Sequence, residues 1–160
     1  MIIKRLRNLS FKSFFILGGV FIRKPFLIVP TYKGTRNTIH TCNDCFGKSH
    51  HGDNRANAFR HALWNYMICE QVYRISGSVD SAMEWSKKIT DLHEDLSPNS
   101  DLARAMDLHN NRIGRKFFAE KIEIELNHIQ EFRLMSQKAV KISSLEDIKM
   151  IKNELVYIED

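Results

Sequence analysis

The residues from Asn54 to Tyr66, reading N-R-A-N-A-F-R-H-A-L-W-N-Y, constrain this chain more than any others. Their spacing predicts a helix. At 3.6 residues per turn, Asn57, His61 and Asn65 stack one turn apart on a single face. Arg60 and Trp64 flank that line, and Phe59, Leu63, Tyr66 and Met67 supply apolar packing around it. So much apolar surface calls for an interior position. An amide, an imidazole and a guanidinium are nevertheless costly to bury unless each finds a partner. The chain must supply those partners elsewhere, and two later polar clusters offer them: Asp91-Leu-His-Glu94 and Asp107-Leu-His-Asn-Asn111. A fold that accepts ionisable groups in this way is a candidate for a functional site.

The flanking sequence arranges itself into further helices. Pro30 suits a first helical turn and Gly47 a far end, which predicts a helix over 30–46 with Ile28, Tyr32, Thr35, Ile39, Cys42 and Phe46 on its core face. Asp53 is the expected N-cap of the central helix, which should end near Gly77. Asp80 is the expected cap of a helix over 81–96 whose stripe is Ala82, Trp85, Ile89, Leu92 and Leu96. Ser97-Pro98-Asn99-Ser100 is a stop, and Ser100 can cap the next helix, with Leu102, Met106, Ile113 and Phe117 facing the core. That helix either continues past Gly114 to about Ala139 or breaks on the way. Ser143-Ser144 opens a last element, with Glu146 completing a capping box, and Leu155–Ile158 reads as an extended, edge-packed tail. Nothing reads as a strand ladder. The expected class is all-α, a compact single-domain bundle of about five to seven helices. Residues 1–30 form a basic and apolar N-terminal segment, and residues 31–160 a helical domain with a motif core at 53–118.

At 160 residues the chain is long enough to bury a core, and its 43% hydrophobic and 27% charged residues are those of a globular protein rather than a disordered or fibrous one. Its net charge of +5 is unevenly placed, because eight Lys and Arg and no acid precede position 40. That end could meet an anionic surface, so peripheral membrane contact through residues 1–30 is one open partner. Nucleic acid is disfavoured, since it would need Lys and Arg gathered around one groove. Lys4, Arg5 and Arg7 ahead of Phe14–Ile22 imitate the first two regions of a signal peptide, but Arg23-Lys24-Pro25 interrupts the apolar run and no small-x-small cleavage site follows. The run is also too short to cross a bilayer. The expectation is a cytoplasmic protein with scope for membrane association. Three cysteines, an odd number, agree with a reducing compartment. Cys42-x2-Cys45-x4-His50 begins like a zinc knuckle, but Arg55 stands where the fourth ligand would fall, and on a helix both cysteines suit a core.

The three polar clusters together contain the groups a hydrolytic site needs. His61 or Glu94 can take a proton from water, and Asp107 can orient an imidazole or hold a metal. Arg60 can hold a phosphate or carboxylate bidentately, with Asn57 beside it, and the amides of Asn110 and Asn111 can bind a developing oxyanion. His61, His93, Glu94 and Asp107 are candidate ligands for a divalent metal ion. Asp91 is expected at the surface. On one helix Asp107, Asn110, Asn111 and Gly114 share a face, and the glycine would let another helix approach closely. A buried network of this kind can equally serve only to lock helices together. The substrate of a catalytic site would be a phosphate- or carboxylate-bearing small molecule or lipid, a phospholipid being favoured by the basic, apolar N-terminus.

The motifs N-A-F-R-H-A-x-W, D-x-H-E and M-D-x-x-N-N-x-x-G, in that order between Asp53 and Phe118, resemble a bacterial domain of unknown function found in small stand-alone proteins and at the ends of large toxin-like secreted proteins. The resemblance implies a compact helical domain in which Asn57, Arg60, His61, His93, Glu94, Asp107, Asn110, Asn111 and Gly114 converge. It implies no particular activity. His109 sits at a variable position of the last motif.

Overall fold

The computed structural model describes residues 18–97, 99–122, 124 and 127–159. The fold is all-α. Its main helices are α1 (Ile28–Phe46), α2 (Arg55–Ser76), α3 (Val79–Leu96), α4 (Asp101–Lys121), α5 (His128–Gln137) and a short α6 (Leu145–Met150). Residues 18–23 are also helical, and 3-10 turns at Pro25–Leu27 and Ser49–His51 lead into α1 and α2. The expectations for residues 1–17 lie outside the described residues. No helix among the described residues is long and apolar enough to cross a membrane.

The central position belongs to α2, which packs against α1, α3, α4 and α5. Ala58, Phe59, Ala62, Leu63, Ile68 and Cys69 are wholly buried along it. Its polar stripe therefore has nowhere to go but a helix interface. The helix stops at Gly77, whose positive φ of 63° lets its N–H close on the Tyr73 carbonyl.

Docking of α1 onto α2 corrects the predicted face. Pro30, Thr31, Gly34, Thr38 and Cys42 are buried, whereas Ile28 and Tyr32 are exposed. The reason is close approach. A Cβ added at Gly34 would lie 3.0 Å from the Ile68 backbone, so small residues of α1 face inward at the crossing and Ile28 and Tyr32 are turned away, while Phe46 at its far end still packs on Phe59. Two indoles complete the joint: Trp85 Nε1 donates to Thr31 Oγ1 at 2.8 Å and Trp64 Nε1 to Thr35 Oγ1 at 2.9 Å. Exposed Ile22, Phe26, Ile28, Val29 and Tyr32 remain along this outer side.

The caps also differ in detail. Asn54, not Asp53, caps α2, accepting from the Asn57 N–H at 3.1 Å. Ser78, not Asp80, caps α3, leaving Asp80 in the first turn, where an acid complements the helix dipole. Ser144 caps α6 with Asp147, not Glu146, closing the capping box. Ser100 caps α4, which ends at Lys121 instead of running on to Ala139.

The C-terminal segment is more deeply held than an edge-packed tail. Strand β1 (Val140–Lys141) pairs in parallel with β2 (Val156–Tyr157), and Leu155, Val156 and Tyr157 are buried. On the other side of β2 the Asn110 side chain acts as a substitute strand. Its Nδ2 donates to Val156 O and its Oδ1 accepts from Val156 N, both at 2.9 Å. Next to it His109 Nε2 meets Glu154 O at 2.9 Å, and Arg112 donates to Lys152 O at 2.8 Å. We expect Asn110→Ala to cost about 2–3 kcal/mol, because it strands two buried backbone groups. Amide exchange at Val156 should accelerate ahead of global unfolding; unchanged protection there would mean the β1 pairing suffices.

Candidate functional site

The polar residues of α2 meet those of α4 at a constant offset. Asn57 Nδ2 donates to Asp107 Oδ1 at 3.2 Å, His61 Nδ1 lies 3.2 Å from Asn111 Oδ1, and Arg115 Nη1 donates to Asn65 Oδ1 at 2.6 Å. Each step of four residues on one helix matches a step of four on the other, so α2 and α4 run parallel. Helix α3 runs the opposite way, with Ser86 and Thr90 reaching Asn65 while Glu94 reaches His61. Three polar stripes thus close one seam. The seam is tight enough that Gly114 of α4 lies directly against the Ala62 carbonyl.

Its two ends differ in chemistry. At one end Asn65 Oδ1 accepts from Arg115, Ser86 and Thr90, and Arg115 Nη1 also reaches Thr90 Oγ1 at 3.4 Å. Of these, Ser86, Thr90 and Arg115 did not emerge from the sequence reading. The signal was present: Ala82, Ser86, Thr90 and Glu94 are spaced by four, and this line, rather than Ile89 and Leu92, carries the buried face of α3. Arg115 stands four after Asn111. Because Arg115 would lose its shortest acceptor and keep only the longer contact with Thr90 Oγ1, Asn65→Ala should destabilise by about 3–5 kcal/mol. Arg115→Met should cost clearly less in the same urea titration, and equal losses would argue against this coupling.

The other end is ionisable. His61, Glu94 and Asp107 are buried, at 2%, 1% and 4% exposure. His61 Nε2 lies 3.2 Å from Asp107 Oδ1, and His61 Nδ1 lies 3.6 Å from Glu94 Oε1. The knot sets the imidazole tautomer. Arg115 only donates, so the Asn65 oxygen faces it and Asn65 Nδ2 donates to Asn111 Oδ1 at 2.7 Å. That oxygen can only accept, so the proton sits on His61 Nδ1. The lone pair of Nε2 is left facing Asp107 and Arg60, whose Nη2 is 2.9 Å away.

Burial pushes both carboxyls well above the ordinary carboxylate range, and the Asp107 charge raises Glu94 further. Arg60 opposes the shift at Asp107. Asn111 Nδ2 donates to Glu94 Oε1 at 3.4 Å, Glu94 Oε2 receives no hydrogen bond from an amide, hydroxyl or guanidinium, and a hydrogen bond between the two carboxyls favours the protonated form of Glu94. Asp107 also accepts from Asn57 and, through Oδ2 at 3.3 Å, from the exposed Asn99. Half-buried Arg60 and exposed Asn99 and His51 form the outer cover of the trio.

The structure brings Asn57, Arg60, His61, Glu94, Asp107 and Asn111 together. It takes Asn110 out, since both polar atoms of that side chain hold Val156. His93 is outside the trio as well. Its ring meets Trp64 edge-on, with centroids 5.1 Å apart. Asp91 pairs with Lys87 on the outer side of α3. Cys42 is fully buried, and burial pushes its thiol up to about 12, which disfavours the thiolate a zinc site needs. Among the described residues, the donor group with metal-compatible spacing is His61, Glu94 and Asp107.

Fold and site together define an all-α domain built around a buried histidine–dicarboxylate cluster. The chain belongs to the family described as Domain of unknown function (DUF6973), whose model matches residues 18–144. The match extends on both sides of the stretch carrying the three motifs. No curated protein matches the chain.

Proposed function

We propose that the protein is a hydrolase acting on a phosphate- or carboxylate-bearing molecule. In this reading His61 Nε2 takes a proton from water, the Glu94–Asp107 pair stores and returns one, and Arg60 with Asn57 and Asn111 positions the anionic group. The observation that supports it is the convergence of three ionisable side chains from three helices at one end of a seam whose other end already locks the helices. A lock does not need two buried carboxyls set against each other. Carboxyls raised toward neutrality are what acid–base chemistry at neutral pH requires. A phospholipid is the favoured substrate class, given the exposed apolar residues from Ile22 to Tyr32 beside Arg23, Lys24, Lys33 and Arg36.

A second reading is a non-catalytic module that docks on a membrane or protein through that outer side of α1. The near-complete burial of His61, Glu94 and Asp107 favours it. One paired measurement separates the two: turnover against phospholipids, phosphoesters and peptidoglycan fragments, and thermal unfolding of His61→Asn and Arg60→Lys. The lysine keeps the charge but loses the planar fork. The catalytic reading expects at least about tenfold lower kcat/KM in both variants, which is about 1.4 kcal/mol of transition-state binding, with small changes in melting temperature. No turnover by the parent, together with large destabilisation of both variants, would establish the docking reading instead.

A further inference from the structure

We infer that His61, Glu94 and Asp107 form a binding site for one divalent first-row cation, zinc or manganese, with His61 bound through Nε2. The inference rests on reading these side chains as a site rather than as a lock. It adds a ligand to that site.

Three observations carry it. The first is spacing. The ligand atoms of the three residues all lie within 4.8 Å of one another. His61 Nε2 and Asp107 Oδ1 are 3.2 Å apart, the separation of two ligands that each bond a metal at about 2.1 Å. Glu94 reaches the ring on its Nδ1 side, with Oε1 3.6 Å from Nδ1, and its carboxylate must rotate to join Asp107 at Nε2. A mixed nitrogen and carboxylate donor set suits zinc and manganese.

The second is a prepared outer layer. Metal-bound histidines and carboxylates are normally oriented by hydrogen bonds from the far side. Here three asparagines do so: Asn111 Oδ1 accepts from His61 Nδ1, Asn57 and Asn99 donate to Asp107, and Asn111 Nδ2 donates to Glu94 Oε1. His61 thereby presents a lone pair, not a proton, to the carboxylates.

The third observation is the pairing of the two acids. Glu94 is 1% exposed, its Oε2 receives no hydrogen bond from a neighbouring amide, hydroxyl or guanidinium, and its carboxyl is held against Asp107 by a proton that a cation would replace. Every other carboxylate oxygen of the pair accepts from an amide. Two buried carboxylates beside one lone pair offer a cation three donors and leave that oxygen satisfied. The Arg60 guanidinium, 2.9 Å from His61 Nε2, is the competitor for this position. Displaced outward by the cation, it would face the side from which an anionic substrate arrives.

The experiment uses the full chain, purified without a histidine tag and stripped with a chelator. Zinc and manganese are then titrated in by calorimetry and followed by thermal unfolding. We expect one ion per chain and a rise of about 5–10 °C in melting temperature at an ion concentration 100-fold above Kd. Glu94→Gln, which keeps the shape and removes the charge, should weaken binding at least tenfold. Cys45→Ser should leave it unchanged, and Arg60→Met should strengthen it. Absence of binding and of any thermal shift overturns the inference, as does binding that survives Glu94→Gln but is lost in Cys45→Ser. The hydrolase reading fails separately. Turnover by a stripped protein that binds no added ion removes the metal and leaves the hydrolase, whereas one-to-one binding with no turnover keeps the metal and removes the hydrolase.

Discussion

Gly114→Ala is expected to leave little folded protein. A Cβ at this position would stand 2.0 Å from the Ala62 carbonyl oxygen, 2.7 Å from its carbon and 2.8 Å from Ala62 Cα. All three are backbone atoms, so no side-chain rotation relieves the overlap. Sliding or parting the helices would relieve it, but the seam is pinned on both sides of the contact. His61 meets Asn111 one turn before it, and Asn65 meets Asn111 and Arg115 around it. Moving α4 away from α2 would break those buried bonds together. We expect a loss of about 4 kcal/mol or more, at the extreme of what a single methyl inflicts by overpacking. Marginal stability turns such a loss into an unfolded chain. Gly34→Ala supplies the comparison, because its Cβ would meet the Ile68 backbone and the Met67 carbonyl at 3.0 Å and a shift of a few tenths of an ångström suffices. It should lower the urea midpoint measurably while preserving a cooperative transition. A Gly114→Ala variant within 1 kcal/mol of the parent would show that the seam is wider than described.

In the metal-stripped protein, raising the pH from about 6.5 to 8.5 should lower the melting temperature by several degrees. The sign follows from which state holds the proton. In the folded chain burial holds the Glu94 and Asp107 carboxyls well above their ordinary values of 4.5 and 3.8. Between the ordinary and the raised values the folded chain keeps a proton that the unfolded chain has released, so stability falls as pH rises through the window. On the acid side the slope reverses. Burial lowers His50 from 6.5 to about 4, and it also lowers His109 and His128. There the unfolded chain takes protons that the folded one refuses. The histidine contribution fades as pH rises above 6.5, and near pH 8.5 the buried Cys42 and Cys69 thiols, pushed up to about 12, add to the carboxyl effect with the same sign. Glu94→Gln should flatten that slope and raise the melting temperature at pH 8. The amide can donate toward Asp107 in place of the carboxyl proton, and its oxygen can still accept from Asn111. Removing a functional carboxyl often stabilises a fold in this way. The same substitution should destabilise the protein once a saturating cation is present, since a ligand is then lost. A parent melting temperature that is flat from pH 6.5 to 8.5 would place both carboxyls in the ordinary range and remove the basis for acid–base chemistry.

Sequence alone determined the helical class, the position of the central helix and most of the ionisable cluster, though it added His93 and Asn110, which the structure takes out. Asn57, His61 and Asn65 had to share a face because 3.6 residues make a turn, and the hydrophobic residues around them had to carry that face inside. Gly114 was legible for the same reason, since it continues the line of Asp107 and Asn111 on a single helix. Caps were legible only to within a residue or two, because Asp53 and Asn54, or Ser78 and Asp80, offer the same chemistry and the backbone chooses between them.

Tertiary structure decided what lies between helices. Hydrophobicity pointed α1 toward its large apolar side. The close crossing at Gly34 selected the threonine and glycine side instead, because backbone contact between helices rewards small residues over large ones. Hydrophobicity likewise pointed to Ile89 and Leu92 on α3, whereas the buried line is Ser86, Thr90 and Glu94, drawn inward by hydrogen-bond partners that exist only once α2 and α4 are in place. Asn110 and Asn111 are neighbours in sequence yet face a strand and the buried ionisable cluster respectively, since successive residues on a helix point about 100° apart. Periodicity along one helix is a local property that the chain carries with it. The pairing of two polar faces belongs to neither helix alone, and so only the assembled seam reveals it.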